Sequence, residues 1–166
     1  PDSRYPITED EFWDDEPYIS YYGYGWMRRY REKIMEHCSH ISDIKIGISR
    51  ATATFGPHDN FDLKTCHVVP ALIRKFHQAK IHNKSSVTVW GSGMPLREFL
   101  FVSDMADASV FIMNLNKKSY DLKVDKRVSH INVGSGFEIS IKDLAKLISK
   151  VTEYKGKITF DKTKPD

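Results

Sequence analysis

Apolar positions in this chain recur with a period that changes from segment to segment, and the changes mark the elements. From about Ser20 to His37, Trp26, Met27, Tyr30 and Ile34 recur at spacings of three and four, which predicts a helix. Ile44-Lys45-Ile46-Gly47-Ile48 alternates apolar with small or polar residues and predicts a strand. A second helix is expected from about His67 to Lys80, with Pro70 in its first turn and Val68, Leu72, Ile73 and Phe76 as one apolar stripe. Val87-Thr88-Val89-Trp90 reads as a short strand ended by Gly91-Ser92-Gly93. Arg97 to Val102 reads as another, and Ser103 or Asp104 caps a helix that runs to about Leu115. The stripe Met105, Ala108, Ile112, Met113 and Leu115 on that helix is expected in the core.

The polar run Lys117 to Arg127 reads as a loop, His130-Ile131-Asn132-Val133 as a strand, and Gly134-Ser135-Gly136 as a plain turn. Ser140-x-x-Asp143 is a capping box with a shortened acid, and it opens the last helix. Ile141, Leu144, Ala145, Ile148 and Val151 fill that helix's buried face. Lys157-Ile158-Thr159-Phe160 closes with a strand. Residues 1–18, rich in Pro, Asp and Glu, and Gly56-Pro57-His58-Asp59-Asn60 carry loop chemistry. Strands alternating with helices give an α/β class.

Composition narrows the partners. The 166 residues are enough to bury a core, and 40% hydrophobic with 28% charged residues is ordinary for a globular protein. Twenty-five basic residues against 22 acidic ones give a net charge of only +3, with no long basic run, so no nucleic-acid partner is expected. No apolar stretch approaches the roughly 20 residues that span a membrane. Two cysteines, Cys38 and Cys66, are too few for a disulfide framework, and a reducing, cytoplasmic compartment is expected. No strand followed by a glycine-rich turn precedes the first helix. The chain is therefore expected to be the back portion of a longer protein, without the element that sets a dinucleotide pyrophosphate on a helix N-terminus.

Candidate chemistry is densest between residues 54 and 101. In Trp90-Gly91-Ser92-Gly93-Met94-Pro95-Leu96-Arg97-Glu98-Phe99, an indole and a guanidinium flank a glycine-rich turn. Lys75 lies about two helical turns beyond His67. Two cations converging on one cleft would neutralise a diphosphate, arginine with paired hydrogen bonds, while Trp90 offers a flat face to a base or sugar ring. Taken singly, Lys75 is equally a solvated helix lysine, Trp90 a core residue and Arg97 a strand-edge residue. His67, at the mouth of the second helix, is a capping residue or a neutral acid/base favoured in that form by the helix dipole. His58, Cys66 and His67 match no common zinc spacing, so no metal is expected. Tyr24 and Arg28 are four apart, on one face of the first helix. A phenol needs its pKa lowered by about 3 units from 10 to act near neutrality, which a fixed cation helps to supply.

These motifs, together with His130-Ile131-Asn132-Val133-Gly134, resemble the GDP-L-fucose synthase family, NADP-dependent epimerase/reductases of the extended short-chain dehydrogenase/reductase superfamily. The resemblance runs essentially from end to end. It implies the back part of a Rossmann-type fold over residues 1–55 and a small α/β substrate-binding region over residues 56–166, with some segments returning to the Rossmann domain. It implies NADP(H) as cofactor and a GDP-sugar as substrate. The family's Tyr-x-x-x-Lys falls on Tyr24 and Arg28, and the choice of Tyr24 over Tyr21 and Tyr22 rests on this match. Arginine stands where the lysine would be, and its planar fork does not reproduce an ammonium. The family's nicotinamide wall falls on Ala51, Thr52, Ala53 and Thr54, with Ala53 in place of the usual Asn. His67 falls on an epimerisation acid/base that also borders the cofactor, and Lys75, Trp90 and Arg97 fall on nucleotide-sugar contacts. A sibling enzyme acting on another GDP-deoxyhexose or heptose, or a non-catalytic binder, fits the same motifs. The resemblance further implies a homodimer for the intact protein. The 166-residue piece alone is expected to be inactive, with apolar surface exposed.

Overall fold

The computed structural model describes residues 7–124 and 129–166. In chain order the elements are α1 (Tyr22–Ile41), β1 (Ile48–Ala51), β2 (Ala53–Phe55), α2 (Val68–Ile81), β3 (Ser86–Trp90), β4 (Leu96–Phe101), α3 (Val102–Asn114), α4 (Lys117–Asp121), β5 (His130–Val133), β6 (Glu138–Ser140), α5 (Ile141–Val151) and β7 (Lys157–Asp161). They divide into two units, Pro1–Thr52 with Ser103–Val133 and Ala53–Val102 with Gly134–Asp166, so the chain builds each unit from two separate stretches. The α/β alternation expected from the hydrophobic pattern is present, with parallel pairing in three of the four strand pairs.

In the first unit, β1 and β5 pair in parallel, Ile48 opposite His130 and Ala51 opposite Val133. The strand expected over 44–48 is displaced. Only from Ile48 does the chain find a ladder partner, and Ile44 stays exposed. Helix α1 is turned opposite to its apolar pattern. Trp26, Met27, Tyr30 and Ile34 are exposed, and the buried residue is Arg29. The inward face is polar because its partners are ionic and aromatic. Arg29 donates to the Phe12 carbonyl at 2.7 Å and lies 4.9 to 5.4 Å from the rings of Phe12, Trp13 and Trp26. Glu32 accepts two hydrogen bonds from Arg50, at 2.9 and 2.7 Å. His130 is 2% exposed, edge-on to Phe12, with Nδ1 lacking a hydrogen-bond partner among the described residues and 3.7 Å from Glu32 Oε2. Burial, reinforced by the Arg50 charge, holds the His130 pKa down to about 4.

Three further expectations for this unit fail. The stretch from Lys117 is not all loop: Asn116 accepts from the Ser119 N–H at 2.8 Å and Lys117 pairs with Asp121 one turn on, which closes α4. Residues 125–127 of that stretch lie outside the described residues. Of the stripe on α3, Ile112 alone is fully buried, above Gly47, where a Cβ would come within 2.9 Å of it. Helix α3 starts directly at Val102, so Ser103 and Asp104 lie inside it, and β4 ends one residue earlier than expected.

The second unit holds the main core. Strands β3 and β7 pair in parallel, Val87 opposite Ile158 and Trp90 opposite Asp161. Helices α2 and α5 supply Val69, Leu72, Phe76, Ala79, Leu144, Ala145 and Ile148 to the buried cluster, joined by Val87, Val89 and Tyr154. Phe76 is fully buried, with its ring centroid 5.6 Å from that of Tyr154. The stripe of α2 is rotated from the expected one. Val69, Leu72, Phe76 and Ala79 face in at spacings of three and four, and Ile73 faces out. On α5, Leu144, Ala145 and Ile148 of the expected face are buried, Ile141 is half-buried, and Val151 lies exposed at the helix end. Ser140 caps α5, accepting from Asp143 N–H at 3.0 Å, while its hydroxyl donates to the Asp143 carboxylate at 2.6 Å. A second sheet orders β2, β4 and β6, with β2 parallel and β6 antiparallel to the central β4. No described helix is long and apolar enough to cross a membrane.

Candidate functional site

Strand alternation in β3 decides what Trp90 does. Val87 and Val89 point into the core, so Trp90 shares the outer face with Ser86 and Thr88 and is 57% exposed. It is not a core residue. From α2, Lys75 reaches across to this face. Its Nζ donates to the Thr88 carbonyl at 3.2 Å and lies 5.3 Å from the indole centroid. Burial lowers the Lys75 pKa below the ordinary value. On the same side, Lys164 Nζ lies 5.6 Å from the indole.

The turn after β3 is set by Gly91 and Gly93, at φ of +77° and +76°, values that glycine alone adopts freely. An added Cβ would also meet Asp166 at Gly91 and the Phe160 ring at Gly93. The carbonyls of Gly93 and Pro95 accept the first N–H groups of α5, from Lys142 and Ile141 at 2.8 and 3.1 Å. The turn therefore serves as the backbone cap of α5 and delivers β4 with Arg97 at its second position. The Arg97 guanidinium donates to the Leu96 carbonyl at 2.7 Å, which leaves its other donors unspent in that contact.

His67 occupies the N-cap position of α2 but makes no side-chain cap hydrogen bond. The loop before it is fixed by its own polar groups: Asn60 donates to Thr65 at 2.9 Å, and Arg74 of α2 donates to the Phe61 carbonyl at 2.6 Å. The imidazole is thus delivered to the pocket mouth without a local structural task.

These parts meet around one cavity of about 400 Å³. His67, Trp90 and Arg97 line it, with Ala53 and Thr54 at one edge and Phe55, Phe99 and Ile141 as apolar floor. Lys75 stands against the indole at its rim. Sequence reasoning missed Pro165 and Asp166, which also line the cavity. Asp166 is held there by Ser92, whose hydroxyl donates to its carboxylate at 2.8 to 2.9 Å and whose N–H also donates to it. These hydrogen bonds lower the Asp166 pKa below the usual carboxylate value. No local signal could have found it. The β3–β7 ladder and the turn after β7, in which Lys164 N–H returns to the Asp161 carbonyl, bring residue 166 to residue 92. The cavity thus offers cations, an indole face, an imidazole and one carboxylate around an apolar floor.

In the first unit, Arg28 donates to the Tyr24 hydroxyl oxygen, and its guanidinium carbon lies 4.9 Å from the phenol ring. Guanidinium has no acceptor, so the phenol keeps its own proton for another partner. Tyr24 is exposed. Ala51 ends β1, and the Thr52 N–H continues the ladder to the Val133 carbonyl at 3.1 Å. Among the described residues, no group of His, Cys, Asp and Glu is placed to hold a metal ion.

Comparison with known proteins gives the family. The GDP-L-fucose synthase of Escherichia coli K12 is 50% identical over 115 residues, 69% of this chain and 36% of that protein. The GDP-L-fucose synthase of Dictyostelium discoideum is 34% identical over 164 residues, 99% of this chain and 49% of that protein. The crystal structure of a GDP-L-fucose synthetase from Naegleria fowleri superposes with a TM-score of 0.84 at 30% identity, covering all of this chain and 50% of that one. The chain thus spans about a third to a half of the length of these relatives. The model of the NAD-dependent epimerase/dehydratase family matches residues 2–134, and the chain belongs to that family.

Proposed function

We propose that this chain carries the nucleotide-sugar half of an NADP-dependent epimerase/reductase that converts GDP-4-keto-6-deoxymannose to GDP-L-fucose. The observation that carries this reading is the single cavity lined by His67, Trp90 and Arg97, with Lys75 against the indole. Arg97 and Lys75 neutralise the diphosphate, Trp90 stacks on a ring, and the apolar floor excludes water. Asp166 is the acceptor in this cationic pocket and takes the ribose hydroxyls of the nucleotide.

Protons on the carbons flanking a ketone are acidic enough to exchange when the enolate is stabilised, and His67 is the group that moves them. Tyr24 gives its proton to the ketone oxygen as that carbon is reduced, and Arg28 holds the phenol in place. NADP(H), when bound, supplies the hydride. On the first unit, Arg28, Ala51 and Thr52, and on the second, Ala53, Thr54 and His67, are the residues assigned to it. The small side chains at 51–54 suit a flat ring laid against backbone. In this reading the first unit belongs to the cofactor-binding domain and the second to the substrate domain. The enzyme is cytoplasmic and homodimeric, with the exposed aromatic face of α1 turned to a second copy.

Calorimetric titration of the 166-residue chain with GDP tests the pocket. Binding is expected, with Trp90→Ala and Arg97→Met each weakening it about tenfold or more, the loss of one stacking or charged contact. A chain that binds GDP no better than guanosine, or variants that bind as well as the parent, would refute the assignment.

A further inference from the structure

We infer that Ser92 is a positioning residue for nucleotide recognition: it clamps the Asp166 carboxylate to the pocket wall with its outer lone pairs turned to the ligand. The inference rests on the reading of this cavity as a GDP-sugar site.

The clamp is made of two donors from one residue. The Ser92 N–H donates to Asp166 Oδ1, and the hydroxyl donates to the same carboxylate, 2.9 Å from Oδ1 and 2.8 Å from Oδ2. The hydroxyl has a single proton, and its oxygen accepts the Met94 N–H at 3.1 Å, so that contact turns the proton toward Asp166. The backbone is shaped for the contact. Gly91 has φ +77°, and a Cβ there would sit 2.3 Å from Asp166 Oδ1 and 3.1 Å from the Pro165 carbonyl oxygen. Any side chain at 91 would push the carboxylate off the wall.

The approach from the other side is equally fixed. The Gly91 N–H donates to the Asp161 carbonyl at 2.9 Å, and Asp161 accepts from the Thr163 hydroxyl at 2.6 Å. The turn after β7 therefore arrives at the glycine turn in one register. A carboxylate has about four lone-pair sites; the Ser92 N–H and hydroxyl take two, and the Gly93 N–H also donates toward it. What remains is turned to hydroxyl donors inside a pocket that Arg97 and Trp90 also line. A carboxylate free to rotate would lose that orientation and would pair with the nearby cations instead.

The test is calorimetry of the full 166-residue chain with GDP and with 2′,3′-dideoxy-GDP, which lacks both ribose hydroxyls. The unsubstituted chain is expected to prefer GDP by about tenfold, the worth of a hydrogen bond to a charged group. Asp166→Asn abolishes the preference. Ser92→Ala removes most of it by weakening GDP while leaving the dideoxy nucleotide unchanged, and Ser92→Thr, which keeps the hydroxyl, restores it. A Ser92 that merely supports the turn would weaken both nucleotides equally, and that outcome overturns the inference. GDP binding without preference in the unsubstituted chain also overturns it while sparing the GDP-site reading. No GDP binding at all overturns both.

Discussion

His130 makes the first unit sensitive to mild acid, by an amount that follows from its surroundings. The imidazole is 2% exposed, faces Glu32 at 3.7 Å, Arg50 and Glu9, and packs edge-on against Phe12. Burial and Arg50 outweigh Glu9, so the folded protein binds the proton only near pH 4, against the ordinary 6.5. Above pH 6.5 the ring is neutral in both states and costs nothing. Between 6.5 and about 4 only the unfolded chain takes up the proton, so stability falls as pH falls. Below about 4 both states are protonated and the loss stops growing. At about 1.4 kcal/mol per pH unit the full loss is about 3 kcal/mol, a large part of a small domain's stability. Urea unfolding of the parent and of His130→Phe, from pH 7.5 to 3.5, isolates this contribution because the carboxylates titrate in both proteins. Phenylalanine keeps the edge contact with Phe12 and cannot titrate. The two stability curves should converge toward neutral pH, up to a constant offset, and separate by about 3 kcal/mol toward pH 4, the parent falling faster. Curves that stay parallel would show that His130 is not held neutral by its surroundings.

Two further outcomes concern stability. Phe76→Ala empties the centre of the second unit and should cost about 3–5 kcal/mol, read as a lower urea midpoint, and a cost under about 1 kcal/mol would mean that the site collapses around the gap. Arg29→Met removes a guanidinium packed among three aromatic rings and bonded to the Phe12 carbonyl. It should cost about 1–2 kcal/mol and shift Trp13 and Trp26 fluorescence to the red, and unchanged emission would sink the idea that the cation gathers those rings.

Much of the second unit is legible in sequence because its signals are local. Helix α5 carries its cap at Ser140 and its buried face at Leu144, Ala145 and Ile148, and both are where the pattern puts them. On α2 the period is right but the side is not. Val69 and Ala79 replace Ile73 inward, because α5 and β3 choose the face and periodicity alone does not. Trp90 and Arg97 are legible as a pair because one glycine turn separates them. Asp166 is invisible from sequence because it reaches the pocket through pairing over some seventy residues. The first unit reads worst. Helix α1 buries Arg29, half-buries Glu32 and exposes its apolar stripe, since the segment at Phe12 and the strand residue Arg50 offer rings and charge as partners, and no hydrophobic period encodes that choice.

The division of each unit between two stretches has a consequence for how the chain acquires its structure. β3 has no partner until β7 has been made, and β1 waits for β5, so neither sheet can close from consecutive residues. Such non-local pairing slows folding and prolongs the life of open edges. During synthesis, half-made copies would expose the unpaired edge of β3 and its inward Val87 and Val89, and chaperone dependence at this stage should exceed what the finished molecule's size would imply.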